Sequence, residues 1–350
     1  MSLIVILMKS FVYITTTLVL YACETTVEVD IPRYPAQLTV NSLFYPDSVW
    51  QVELTQNRYI LNNEPFASVP DAEVRVLQEG QTVAVLDYVG NAPFTGNSIY
   101  LAKSSYPQPR GNYTLNISHP TLGNLSASSR VPENRVSIVR AVLDKLDQRQ
   151  ESSTENNALA YGITLQFNDP PEENFYSLSA LFSTDLFFGT DADGDGNVFE
   201  LGILEQSDFS SIKSDDPIVT QVFDRYRDEL IFSDASFNGQ LYTLKLYLLV
   251  PDGTVLSEYL FALPFALTEV AYDTQGNVIR NIGELAGGGV LKIILRTTTE
   301  EYYSYYYTRD LQASVESNPF AQPVQVFDNI EGGLGIFAGY NQVERQVTIK

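Results

Sequence analysis

The sequence has 350 residues, with 43 acidic against 21 basic side chains, a formal charge of −22, and 44% apolar against 18% charged residues. That balance belongs to packed globular chains rather than disordered ones, and the negative charge excludes sequence-independent nucleic-acid binding, which needs lysines and arginines to displace counterions from phosphates, and docking by charge onto an anionic membrane surface. One histidine, His119, and one cysteine, Cys23, exclude histidine-clustered metal sites and cysteine-bonded scaffolds.

Residues 1–22 are apolar, carry Lys9 as their one charge and have the composition of a signal peptide. Lys9 divides the run, so neither piece reaches the roughly 20 apolar residues that a membrane span needs. The residues Leu20-Tyr21-Ala22-Cys23 resemble the lipobox of bacterial lipoproteins, in which a small residue precedes a cysteine that is lipidated on sulfur and becomes the acylated N-terminus. The resemblance implies acyl chains, palmitate among them, on Cys23. One chain anchors only marginally, at ~0.8 kcal/mol per buried CH₂, and several hold a protein to the membrane effectively permanently. Residues 23–35 then read as a tether. Glu24, Glu28 and Asp30 with no base among them resemble the export signals that send lipoproteins of Bacteroidota to the outer face of the outer membrane; a plain solvated tether has the same composition.

From Gln37 onward, short runs rich in Val, Ile, Thr and Tyr alternate in polarity and end in turn clusters of Gly, Pro, Asn or Asp. Residues 37–41, 49–54, 73–77 and 113–117 are the clearest, and each predicts a strand with one core face and one wet face. Strands so spaced, with no helical pattern between them, predict an all-β chain whose first sandwich, residues 36–133, is of immunoglobulin-like size. Proline and polar residues at 130–134 mark a linker. The larger sandwich, 134–350, has longer predicted strands at 159–167, 175–182, 240–250 and 290–296, with polar insertions at 191–197 and 206–228 expected to project as loops. One helix is expected from Thr298-Thr299-Glu300-Glu301, which has capping-box form, to about Glu316. Its tyrosines spread around more than half the circumference, which suits packing on the sandwich and at its rim better than a flat stacking platform.

Three stretches carry a resemblance: Phe167-Asn168-Asp169-Pro170-Pro171-Glu172-Glu173-Asn174-Phe175-Tyr176; Phe232-Ser233-Asp234-Ala235-Ser236-Phe237-Asn238-Gly239; and Asn318-Pro319-Phe320 with Asn329-Ile330-Glu331-Gly332-Gly333-Leu334-Gly335-Ile336-Phe337. They resemble the lipoprotein family of Bacteroidota catalogued as domain of unknown function forty-two forty-nine. The resemblance implies a two-part β protein on the outer membrane, often encoded beside a TonB-dependent barrel, and supplies no catalytic residues. Physically the motifs read as structure. Asp169-Pro170 ends a strand, because proline cannot donate to a ladder and restricts the residue before it. Gly332, Gly333 and Gly335 suit positive φ or close backbone approach.

Asp191, Asp193, Asp195 and Asn197 match the first half of a calcium loop, with oxygen ligands at alternate positions and Gly196 for the sharp turn. The glutamate expected at the twelfth position is replaced by Gly202, and a hairpin loop rich in Asp and Gly fits the same stretch. No other cofactor is expected. His119, at the end of a predicted strand, reads as a turn residue rather than a base. Asn112, Asn116 and Asn124 each begin an Asn-x-Ser/Thr pattern, which means little in a bacterium. The chain is therefore expected to be a non-enzymatic, lipid-anchored binding partner of a TonB-dependent transporter, taking an unidentified nutrient through loops of its second domain. The alternative is a structural or adhesion lipoprotein of the cell surface.

Overall fold

The computed structural model describes residues 35–59, 62, 66–93, 95–133, 135–147, 158–190, 199–209, 212–219, 228–251, 281–285, 289–315 and 321–349. Seven strands come first: β1 (Leu38–Phe44), β2 (Gln51–Gln56), β3 (Glu73–Gln78), β4 (Gln81–Asn91), β5 (Ser98–Leu101), β6 (Asn112–His119) and β7 (Gly123–Arg130). Their polarity alternates as the pleat requires: β6 buries Tyr113, Leu115 and Ile117 and turns Asn112, Asn116 and Ser118 outward. β1, β2 and β5 form one layer; β3, β6 and β7 form the other. β4 belongs to both, since its first half pairs with β3 and its second half with β5. The apolar faces of the two layers meet in one core that holds Trp50, Phe44, Tyr100, Leu115 and Phe337. At the start of β6 the Tyr113 hydroxyl accepts the Gln108 N–H at 2.6 Å, the back-bonded tyrosine typical of immunoglobulin-like sandwiches.

The second set comprises β8 (Ser137–Asp147), β9 (Ala158–Asn168), β10 (Phe175–Thr190), β11 (Phe199–Phe209), β12 (Ile212–Lys213), β13 (Leu230–Ser233), β14 (Leu241–Pro251), β15 (Asn281–Leu285), β16 (Gly289–Thr298), the helix α1 (Glu300–Val315) and β17 (Leu334–Ile349). A four-stranded sheet, β12-β14-β9-β8, covers one side of a second core. β10, β13 and β16 supply the other side through Tyr176, Leu178, Phe232, Ile293 and Leu295. The chain is thus all-β and sandwich-like, with one helix among the described residues.

β17 ties the two cores together. Its first part, Leu334 to Gly339, runs parallel to β1, whereas Tyr340 to Ile349 runs antiparallel to β16. A thirteen-stranded sheet results, and residues 36–58 and 63–350 make one compact unit. α1 packs its Tyr302 against Ile336 and Ala338 on the outer side of that sheet.

Two local expectations are corrected. Residues 206–228, expected to project, include the end of β11 and all of β12. Ile212 and Val219 are buried in the second core, and the Ser214 hydroxyl donates to the Lys245 carbonyl at 2.6 Å. In the sequence these two apolar residues were outweighed by the polar residues around them, Lys213, Ser214, Asp215 and Asp216 among them. The helix is capped by Thr299, whose Oγ1 lies 3.5 Å from the Tyr302 nitrogen, instead of by Thr298. Thr298 is still the last residue of β16, so Thr299 is the first free to leave strand geometry.

Candidate functional site

The first two sequence motifs meet in a buried knot. β9 ends at Asn168 because Pro170 and Pro171 follow, and Asp169 turns inward. One of its carboxyl oxygens accepts the Tyr176 hydroxyl, and the other accepts the Gly239 N–H at 2.7 Å. Asp234, also buried, accepts the Asn174 N–H at 2.8 Å and the Asn174 side-chain amide at 3.3 Å. The Asp234 N–H in turn donates to the Asn174 carbonyl at 3.1 Å. Burial pushes both carboxyls above the ordinary aspartate range, against the pull of these hydrogen bonds, and the Asp169 charge raises Asp234 further. Burial and the Asp169 carboxylate likewise raise the Tyr176 hydroxyl. Every one of these polar atoms is directed at another part of the knot.

The third motif makes a turn that ends on an open surface. Asn329 acts as a surrogate strand: its amide donates to the Phe337 carbonyl at 2.8 Å and its oxygen accepts the Phe337 N–H at 3.0 Å. Gly335 has φ +112°, and a Cβ there would collide with the Val40 carbonyl oxygen, so only glycine allows β17 to lie against β1. Gly332, with φ +82°, turns the chain beside Asn124, and Gly333 lies against Leu125 and the Leu38 carbonyl. Glu331 and Ser126 exchange backbone hydrogen bonds at 3.1 and 2.8 Å, and the Ser126 hydroxyl donates to the Glu331 carboxylate at 3.1 Å.

This turn walls an open cavity of about 480 Å³ on the outer face of β3, β6 and β7. Register sets its floor: Arg75, Asn116 and Ser126 lie in one cross-strand row, and Glu73, Ser118 and Asn124 in the next. Arg75 is ion-paired with Glu73 at the surface. The side chains of Asn116, Ser118 and Asn124 make no hydrogen bond within the described residues, so two carboxamides and a hydroxyl face the cavity with their donors and acceptors open to a ligand.

The family described as domain of unknown function (DUF4249) matches residues 24–346. The chain belongs to the DUF4249 family. Among curated proteins no relative matches.

Of the residues singled out in the sequence of this DUF4249 chain, the structure brings Asp169 and Pro170, expected as structural, to the knot and Asn329, Gly332, Gly333 and Gly335, also expected as structural, to the cavity turn. Cys23, Asp191, Asp193, Asp195, Asn197, Asn318, Pro319 and Phe320 lie outside the described residues. Within the described residues no three metal-ligating side chains come together, and no helix is long and apolar enough to cross a membrane. His119 closes the β6–β7 turn, its Nδ1 accepting the Leu122 N–H at 3.1 Å.

Two groups of residues were missed. Under α1, Glu229 accepts the Tyr302 hydroxyl at 2.5 Å and the Ser177 hydroxyl, with the Arg296 guanidinium at 3.6 Å. Arg296 in turn faces the Tyr340 ring. Burial, then the charge of Glu229, raise the Tyr302 hydroxyl well above the ordinary tyrosine range. No local pattern joins residues so far apart in the chain. Asn116 and Asn124 did have a signal: in a strand, Asn-x-Ser places amide and hydroxyl two residues apart on one face, which is what the cavity floor uses.

Proposed function

We propose that the chain is a lipid-anchored binding protein of the outer membrane, facing the cell exterior through acylation of Cys23, and that it captures a nutrient for a TonB-dependent transporter without catalysing a reaction on it. The observation that carries the reading is the open cavity beside the third family motif, where a turn fixed by Asn329 and Gly335 leaves the polar groups of neighbouring strands unspent. Concave sites with a few convergent polar groups are the usual form of small-ligand recognition. The lipobox-like Leu20-Tyr21-Ala22-Cys23 and the acidic residues after it support the placement. The transporter partnership rests on the family resemblance alone. Capture is assigned to the first set of strands because the cavity lies there; the expected loop at 191–197 lies outside the described residues.

Two measurements test this. Metabolic labelling with a palmitate analogue is expected to mark the wild type and not Cys23→Ser. Affinity purification from outer membranes in mild detergent is expected to recover a plugged barrel. Recovery of adhesion components with no barrel would overturn the transport reading in favour of a structural one.

A further inference from the structure

We infer that the cavity on the outer face of β3, β6 and β7 takes a pyranose ring of a neutral glycan. The assignment rests on the reading of the chain as a capture protein, and it names the ligand class.

The chemistry of the walls narrows the choice. Two carboxylates, Glu73 and Glu331, face one guanidinium, Arg75, so the site has no net attraction for an anion. A hard cation needs several free oxygen ligands, yet Glu73 is engaged by Arg75 and Glu331 by Ser126, and no three metal-ligating side chains gather among the described residues. An apolar ligand would strand the carboxamides without partners. An extended peptide adds to the edge of a sheet, whereas this floor is a sheet face, its backbone groups already used between β3, β6 and β7.

An uncharged ligand with many hydroxyls satisfies what remains. Each carboxamide can both donate and accept hydrogen bonds, as can each hydroxyl group of a sugar. Within each row, neighbouring side chains stand on adjacent strands about 4.8 Å apart, so groups on β6 and β7 reach neighbouring hydroxyls of one ring. The volume of about 480 Å³ lies within the roughly 300–1,000 Å³ of small-ligand sites.

The test uses the full-length protein in lauryldimethylamine oxide, a detergent free of sugar. Saturation-transfer NMR is run with the methyl glycosides of mannose, glucose and galactose and with the tripeptide Ala-Lys-Ala. At least one glycoside is expected to receive saturation, with affinity of about 1 mM. Asn116→Ala combined with Asn124→Ala is expected to weaken it about tenfold or more, while Asn112→Ala, on the same strand but outside the cavity lining, leaves it unchanged. Thermal melts of each variant check that the fold is intact. Absence of transfer to every glycoside, transfer to the tripeptide alone, or transfer undiminished in a folded double variant would overturn the assignment. Recovery of a barrel without glycoside binding removes only the ligand class, and glycoside binding without a barrel removes only the partner.

Discussion

The knot of Asp169 and Asp234 and the turn of Asn329 to Gly335 are both built from family motifs, yet they spend their polar atoms differently. In the knot each carboxylate accepts two hydrogen bonds, Asp169 from Tyr176 and Gly239 and Asp234 from Asn174, and both side chains are buried. In the turn, Asn329 closes on Phe337, but the surface beside it keeps Asn116, Ser118 and Asn124 free for a ligand. A motif whose groups satisfy one another is a joint of the scaffold; one that holds a wall beside unsatisfied neighbours makes a site. The difference lies in the cost of burial. An unpaired polar group is tolerated in water and costs about 1–3 kcal/mol inside.

Substitutions divide along the same line. Gly335→Ala is expected to have the largest effect, a loss of roughly 3–5 kcal/mol, because its methyl group drives β17 away from Val40 at a strained φ. Urea denaturation followed by the fluorescence of Trp50, the only tryptophan and stacked 6.4 Å from Phe337, measures it. An unchanged midpoint would contradict the pairing of β1 with β17. In the knot, Asp169→Ala removes the acceptor of both the Tyr176 hydroxyl and the Gly239 N–H, and a loss of about 3 kcal/mol is expected by circular dichroism in urea. Asn329→Ala leaves both backbone groups of Phe337 without their partner and is expected to lose about 2 kcal/mol.

A pH series isolates the buried carboxyls. Because burial holds Asp169 and Asp234 above their ordinary range, the stability linked to these shifts is fully present below the unfolded value of about 3.9 and is lost as pH rises through the folded values. Asp234→Asn carries no titrating group at that position. The wild type's stability relative to the variant is therefore expected to fall as a pH series rises past the unfolded value of about 3.9. A constant difference across the series would show that burial does not control this carboxyl. The smallest effect belongs to the cavity: Asn116→Ala alters stability by no more than about 0.5 kcal/mol, and a larger loss would make that face scaffold as well.

Much of the architecture was legible because a half-buried strand writes its two faces into the chain at period two. The runs at 73–77 and 113–117 lie within β3 and β6, and those at 159–167 and 240–250 within or beside the limits of β9 and β14. Proline stopped β9 where it was expected to. The helix was legible from its hydroxyl and acidic start, although the cap moved by one residue once β16 held Thr298. The family motifs were visible as strings, and their glycines announced an unusual backbone.

Local pattern alone therefore determined the fold class, the clearest strands and the helix, since alternation, turn residues and caps act over a few positions. The tertiary structure decided which strands became neighbours. Parallel pairing of Thr39 with Leu334 and the meeting of Asp169 with Gly239 are long-range contacts, selected by which apolar faces bury together and not by any local signal. That selection also gave the Asn-x-Ser patterns of β6 and β7 their place. In the chain they were a short local pattern; on adjacent strands beneath the Glu331 turn they became the floor of a cavity.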